Sequence, residues 1–166
     1  MIFYFIPAIM LLINGCNQDS SAVTENAPAI IPAPVSMTML SGNFMFSEKT
    51  RIIIPALDSE TRLAADFLSQ LVKVPTGLTP EVIQGAKPIR GSVFMKLDTA
   101  VKNDEGYILT IIPKQITIQA KTAVGFFYAV QTLRQMLPVE VEKQQVVEGL
   151  VLSVPACIIK DEPRFV

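Results

Sequence analysis

Two pairs of adjacent acidic residues, Asp104-Glu105 and Asp161-Glu162, are the side chains of this sequence whose type could support acid–base chemistry. A positioned carboxyl group can give or take a proton during a reaction. Asp104-Glu105, however, stands directly before Gly106-Tyr107, in a Lys-Asn-Asp-Glu-Gly stretch that is typical of a turn. We therefore predict a solvated turn there and no catalytic residue. For Asp161 and Glu162 we predict capping or salt bridges where the chain leaves the domain.

The composition excludes several common sites. The chain has no histidine, which removes the Ser-His-Asp and Cys-His triads and the His-Glu-x-x-His metal site. The two cysteines, Cys16 and Cys157, indicate neither a disulfide framework nor a zinc cluster, and Cys157 lies in an apolar stretch typical of a core. The net charge of −1 and the lack of a basic run argue against nucleic-acid binding. We predict no cofactor and no bound metal.

The first residues have the pattern of an exported leader. Ile2 to Ile13 form an apolar run too short to span a membrane, which takes about 20 residues, and suited to a signal peptide. The following Leu12-Ile13-Asn14-Gly15-Cys16 resembles a bacterial lipobox, in which the cysteine thiol carries the lipid. We predict a signal peptide over residues 1–16, lipidation at Cys16, and a lipid-anchored protein in the periplasm or at the cell surface. The alternative is an ordinary signal peptide with an incidental cysteine, since no Lys or Arg precedes the apolar run.

The rest of the chain divides into a tether and a folded domain. Residues 17–34 are rich in Asn, Ser, Ala and Pro, and predict a semi-extended tether. Residues 35–160 carry the patterns of regular structure, and residues 161–166 are predicted to begin a linker. Half of the residues of the chain are hydrophobic, which suffices for a real core.

Hydrophobic spacing predicts an α+β fold with one mostly antiparallel β-sheet packed by two α-helices. One helix is predicted from Asp58 or Ser59 until Pro75 and Gly77 end it, and a second from Gly125 to Leu137, capped by Thr122 and ended by Pro138. The predicted strands, the middle three of them as a meander, are 35–40, 43–46, 51–54, 89–97, 107–112, 115–120, 149–154 and 157–159.

Several segments, read in series, carry a family resemblance. They are Asp104-Glu105-Gly106-Tyr107-x-Leu109, Ile116-x-Ile118-x-Ala120, the helix Gly125 to Gln135, and Ile159-Lys160-Asp161-Glu162-Pro163-Arg164-Phe165. Together they resemble the N-terminal, non-catalytic domain of the β-N-acetylhexosaminidases of glycoside hydrolase family 20. The resemblance covers about Ile31 to Val166.

The resemblance implies that the catalytic machinery lies elsewhere. Enzymes of this family remove terminal GlcNAc or GalNAc from glycans with an Asp-Glu pair on a C-terminal (β/α)8 barrel, in a substrate-assisted route. The expected partner of this chain is therefore such a barrel, and the chain alone is expected to be inactive. Arg164 matches a structural arginine of the family, not its sugar-binding one. Arg134 and Gln135 face either solvent or the barrel.

Two alternatives remain at this point. The chain could be a stand-alone, membrane-tethered carbohydrate-binding or protein-interaction module, although it has no tryptophan to stack on sugars. It could also be an unrelated α+β domain, for instance a peptidase-like scaffold, against which the missing histidine and metal ligands argue.

Overall fold

The computed structural model describes residues 27–56 and 58–164. The predicted leader, with the predicted lipidation site Cys16, and most of the predicted tether lie outside these residues. Among the described residues, no helix is long and apolar enough to cross a membrane.

Seven strands form one sheet, and two helices pack on it, which confirms the predicted fold class. The strands are β1 (Ser36–Met45), β2 (Arg51–Ile54), β3 (Glu81–Gln84), β4 (Val93–Leu97), β5 (Tyr107–Ile112), β6 (Gln115–Ala120) and β7 (Ser153–Asp161). Their spatial order is β1-β7-β5-β6-β4-β2-β3. The three ladders that join β1 to β7, β7 to β5 and β5 to β6 are antiparallel and long, so the sheet is mostly antiparallel. The shorter strands β4, β2 and β3 extend the sheet beyond β6 in parallel.

Helix α1 spans Ser59–Thr76 and begins at the predicted cap. The Asp58 side chain accepts a hydrogen bond from the Thr61 backbone N–H at 2.8 Å, which satisfies one of the free donors of the first turn. The helix ends at Gly77, as predicted, whereas Pro75 is buried within the last turn and does not end it.

Helix α2 spans Ala123–Met136, between the predicted cap Thr122 and Leu137. The Thr122 hydroxyl accepts from the Val124 backbone N–H at 3.2 Å. A short 3-10 helix, Val139–Glu142, follows.

The core lies between the helices and one face of the sheet. Alternate residues of β5 (Tyr107, Leu109 and Ile111) are buried towards this core, while the residues between them are partly exposed on the other face. The alternation of β5 and β6 has period 2, which is why both strands have the predicted bounds.

Two predicted pairs of strands are single strands. The predicted turn at Ser41-Gly42 is an irregularity inside β1, where the register with β7 shifts between Met39 and Asn43. Gly42 has φ +92°, a backbone conformation that glycine adopts freely, so the strand bulges instead of turning back. The predicted break near Pro155 is likewise absent, because β7 runs through it, while residues 149–152, which were predicted as strand, precede β7 and are not part of it.

Pro155 is tolerated inside β7 because of its place in the sheet. The ladder between β7 and β5 covers only Cys157 to Asp161. The first residues of β7, including Pro155, are therefore paired with β1 alone. A proline has no N–H to donate, and it disturbs a strand least where one side has no partner strand.

The parallel half of the sheet was predicted only in part, since β2 has its predicted bounds but the other two strands do not. Strand β3 was not predicted, and β4 begins at Val93 because Ile89 to Ser92 form a turn in which the Ser92 hydroxyl donates to the Ile89 carbonyl at 2.6 Å. The predicted meander is also wrong, since β4 pairs with β6 in parallel and not with β5.

Candidate functional site

The Asp104-Glu105 pair lies in a surface turn, as predicted. The Asp104 carboxylate is paired with the Lys121 ammonium group at 2.6 Å, and both side chains are exposed. The backbone N–H of Glu105 donates to the Asn103 side chain at 2.9 Å, which is the local hydrogen bond of an Asx turn. The two acids therefore support the connection between β5 and the preceding loop, and Glu105 also lies at the edge of the open cleft described below.

Asp161 accepts hydrogen bonds from two distant parts of the chain. Its Oδ1 accepts from the Val35 backbone N–H at 3.1 Å, and its Oδ2 accepts from the Tyr107 hydroxyl at 3.4 Å. Its observed role is thus that of an acceptor that links strands, where capping or a salt bridge was predicted. Glu162 is exposed beside it.

The Tyr107 hydroxyl is a buried polar group that connects β5 to α2. It lies 2.5 Å from the Thr132 hydroxyl of α2, in a buried position. Burial raises the pKa of Tyr107 to about 12, and the neighbouring Asp161 carboxylate adds to the rise, while the hydrogen bond with Thr132 opposes it. The phenol therefore stays protonated and neutral, and it serves to tie the sheet to the helix.

A cleft with a volume of about 530 Å³ opens beside these residues. One wall is the incoming segment (residues 30–35), another is the outgoing segment (residues 161–164), and the floor is α2, with Tyr128 and Gln131. Ile30 is buried in the core, so the part of the predicted tether nearest β1 packs against the domain. Sequence reasoning missed this cleft, and the apolar pair Ile30-Ile31 was the only local signal for it.

The outer surfaces of the two helices carry an exposed apolar area, here called the helical patch. It consists of the exposed side chains of Leu63 on α1 and of Val124 and Tyr128 on α2, around the partly buried rings of Phe67 and Phe127. The rings of Phe67 and Phe127 are 5.8 Å apart, and the exposed fractions of Leu63, Val124 and Tyr128 are 64%, 46% and 43%. Exposed apolar side chains that lie close together make this surface a candidate for contact with another molecule or domain.

The two polar residues at the end of α2 are engaged within the domain. The Arg134 guanidinium forms a two-point contact with the Glu142 carboxylate, at 2.7 and 2.5 Å. This hydrogen bonding lowers the pKa of Glu142. The Gln135 side-chain oxygen accepts from the Ile31 backbone N–H at 2.9 Å. The structure therefore places Gln135 against the incoming segment and Arg134 against the 3-10 helix.

Cys157 is fully buried in β7, which confirms the predicted core position. Burial raises the pKa of its thiol to about 11, so it is protonated at neutral pH and unreactive. Within residues 27–56 and 58–164, no group of three His, Cys, Asp or Glu side chains could hold a metal ion.

One known protein family matches most of this chain. The family model described as "Glycosyl hydrolase family 20, domain 2" matches residues 27–162. The chain belongs to glycosyl hydrolase family 20. The match begins near the incoming segment and ends at Glu162, so it includes most of the cleft lining, Asp161 and both helices.

Characterised relatives of this family 20 domain are much longer proteins. The chain is 32% identical to a β-hexosaminidase of Porphyromonas gingivalis, over 94% of this chain and 20% of the relative. It is 30% identical to a β-N-acetylhexosaminidase of Cellulomonas fimi, over 82% of this chain and 26% of the relative. The chain thus spans about a fifth to a quarter of the length of these relatives.

Solved structures show the same domain. A family 20 β-N-acetylhexosaminidase from Streptomyces coelicolor superposes with a TM-score of 0.71 and 33% identity, over 81% of this chain and 26% of that one. The N-acetyl-β-hexosaminidase of Streptomyces plicatus gives 0.71 and 31%, over 82% and 26%. The chain corresponds to the non-catalytic second domain of these family 20 proteins.

Proposed function

We propose that this chain is the accessory domain of a β-N-acetylhexosaminidase that hydrolyses terminal N-acetylhexosamine residues, GlcNAc or GalNAc, in glycans. The observation that carries this proposal is the family match over residues 27–162, combined with relatives that are hexosaminidases four to five times longer than the matched part.

The catalytic groups belong, in this proposal, to a C-terminal (β/α)8 barrel outside the 166 residues. In each acid pair the aspartate is engaged within the domain, and the glutamate beside it is exposed to solvent. Asp104 is neutralised by Lys121 in an exposed turn, and Asp161 is occupied as an acceptor for Val35 and Tyr107. A catalytic acid needs a carboxyl group that is free to exchange its proton with the substrate.

The helical patch is the surface proposed to contact the catalytic barrel. It lies on α1 and α2, and the outgoing segment runs beside α2, since both line the same cleft. A domain that follows Arg164 would therefore start next to α2, not on the opposite face of the sheet. Burying exposed apolar side chains gains roughly 25 cal/mol per Å². The contact would hold the barrel in a fixed orientation.

An activity assay tests the assignment. The 166-residue chain and the full reading frame that contains it are compared on 4-nitrophenyl N-acetyl-β-glucosaminide and on its galactosaminide counterpart. We expect hydrolysis by the full protein and none by the chain alone. Hydrolysis by the 166-residue chain itself would refute the accessory role, and a full protein without such activity would refute the hexosaminidase assignment.

A second experiment tests the docking surface. In the full protein, Leu63→Glu and Tyr128→Glu should lower the melting temperature of the catalytic part, because they place charges in a buried contact. Ile112→Glu is the matched control, since Ile112 is an exposed apolar residue on the face of the sheet opposite the helices. Equal effects of all three substitutions would argue against this surface as the contact.

Lipid anchoring at the periplasmic or outer cell surface is the remaining part of the proposal. Its support is the order of an apolar run, a small residue and Cys16 in the sequence. Metabolic labelling with a palmitate analogue should mark the wild-type protein, and Cys16→Ser should abolish the label and release the protein from the membrane fraction. A labelled Cys16→Ser variant would contradict the assignment of the anchor.

The alternative of a stand-alone carbohydrate-binding or interaction module is not favoured. The relatives that match the chain are hexosaminidases in which it corresponds to a fraction of the length.

A further inference from the structure

The incoming segment is joined to the far end of the domain by three separate contacts. The Ile31 N–H donates to Gln135, the Val35 N–H donates to Asp161, and the Arg164 guanidinium donates to the Ala33 carbonyl. The partners are more than 100 residues apart in the sequence. Because every second residue from Ile31 to Val35 makes one of these contacts, the segment is held along its length and not at a single point.

The three contacts continue the sheet and the core. Immediately after Val35, β1 pairs with β7 at Ser36 and Lys160, so the contact of Val35 with Asp161 extends that ladder through a side chain. Before Ile31, the buried Ile30 reaches the core. The segment between these two anchors has exposed side chains, such as Ile31 at 80%, yet its backbone is held at three places.

We propose that Gln135, Asp161 and Arg164 form a clasp, which fastens the incoming chain to the outgoing chain as one cooperative unit. The clasp holds the incoming segment in place as one wall of the cleft. It also keeps the incoming and outgoing segments side by side at one end of the sheet. The point where the chain enters the domain near residue 30 and the point where it leaves at residue 164 would then keep a set position relative to each other.

Each member of the clasp has a distinct part. Asp161 is the central residue, because its two oxygens connect the incoming segment to Tyr107 and through it to Thr132 on α2. Gln135 extends from the exposed end of the same helix and holds the first residues of the incoming segment. Arg164 closes the clasp from the outgoing side. These are positioning residues, and none of them is assigned a role in chemistry.

Backbone hydrogen exchange measured by NMR on the 166-residue chain tests the clasp. The amides of Ile31 and Val35 should be protected in the wild type. If the contacts form one unit, Gln135→Ala should accelerate exchange of both amides by about fivefold or more, although Gln135 bonds only Ile31. Asp161→Ala should do the same from the other end. The amide of Ile118, in the centre of the sheet, should keep its rate in Gln135→Ala.

The matched control is Gln131→Ala, one turn earlier on α2, which lines the cleft without bonding the incoming segment among the described contacts. It should leave both amides unchanged. Gln135 is exposed, so its replacement leaves the fold intact even if Asp161→Ala fails to fold. Unprotected Ile31 and Val35 amides in the wild type would overturn the clasp, and so would a Gln135→Ala effect confined to Ile31.

Discussion

The Tyr107 hydroxyl lies 2.5 Å from the Thr132 hydroxyl, and this contact joins β5 to α2 inside the core. Both side chains are buried at the edge of the cleft, and the Tyr107 hydroxyl also donates to the Asp161 carboxylate at 3.4 Å. The pair therefore makes the packing of the helix on the sheet depend on polar complementarity as well as on apolar contact.

Removing one partner of this pair should destabilise the domain. Tyr107→Phe is expected to lower the free energy of unfolding by about 1–3 kcal/mol, because it removes the bond to the Thr132 hydroxyl and the bond to the Asp161 carboxylate. Urea denaturation followed by circular dichroism measures the change. Tyr128→Phe, at an exposed tyrosine of the same region, should change stability by less than about 0.5 kcal/mol.

A double substitution checks the reason given. Tyr107→Phe combined with Thr132→Val removes both hydroxyls, so the combined loss should be smaller than the sum of the two single losses. Strictly additive losses would show that the two hydroxyls do not depend on each other.

Gly125 allows α2 to approach the sheet closely. A Cβ at this position would clash with the Gly106 backbone carbonyl and lie 2.8 Å from the Ala120 Cβ. Alanine normally stabilises a helix relative to glycine by about 1 kcal/mol. At this position Gly125→Ala should instead destabilise by about 1–3 kcal/mol, because overpacking moves the helix away from β5. Thermal unfolding measured by calorimetry would show the sign.

Gly85→Ala provides the comparison for that substitution. Its added Cβ would lie 2.9 Å from the Ile53 Cγ2, which belongs to a side chain and not to the backbone. A side chain can adjust more easily than a carbonyl fixed in the chain, so we expect a smaller loss than for Gly125→Ala. A larger loss at Gly85 would contradict this account of the helix packing.

The sequence predicted those elements whose signals are local. β5 and β6 alternate with period 2 around a short turn, and the caps Asp58 and Thr122 precede clear helical stripes, so these elements were placed well. β3, with four residues between Pro80 and Gly85, is too short to show a period, and its partner β2 is separated from it by a helix.

The strand order and the cleft depend on contacts between distant residues. Nothing local in β4 indicates that it pairs with β6 in parallel, because that choice depends on where the chain crosses over the sheet. The same holds for the clasp, since Val35 and Asp161 are 126 positions apart. The segments around Tyr107 and from Gly125 to Gln135 were singled out by their resemblance to family 20 and form much of this region, but their geometry required the structure.

The buried thiol of Cys157 should make the domain sensitive to alkaline pH. Its pKa is about 11 in the folded state against 9.0 for an ordinary thiol, because burial disfavours the thiolate. The stabilising effect of keeping this proton is complete below pH 9. Between about pH 9 and 11 the unfolded thiol ionises while the folded one does not, so the free energy of unfolding falls.

Denaturation in urea at several pH values from 8 to 11 measures this dependence. Cys157→Ala should lower stability at every pH through the lost packing, but it should flatten the decline between pH 9 and 11. A parallel test with a thiol reagent, in a Cys16→Ser background, should find Cys157 unlabelled in the native protein and labelled in urea. An unchanged slope in Cys157→Ala would assign the alkaline decline to other groups.

Asp58 should contribute to stability at neutral pH and lose this contribution in acid. Its pKa lies below the ordinary value of 3.8, chiefly because the Thr61 backbone N–H donates to the carboxylate at the start of α1. A lowered pKa in the folded state means that the contribution is complete above pH 4 and is lost as the pH falls through the folded-state value.

Melting curves at pH 7 and at pH 3 test the role of this cap. Asp58→Ala should lower the melting temperature more at pH 7 than at pH 3, because the wild type has already lost part of its cap in acid. Asp58→Asn keeps an oxygen that can accept from Thr61 and has no charge to titrate, so it should preserve the helix at both pH values. Equal effects of Asp58→Ala at the two pH values would show that the carboxylate charge adds nothing to the cap.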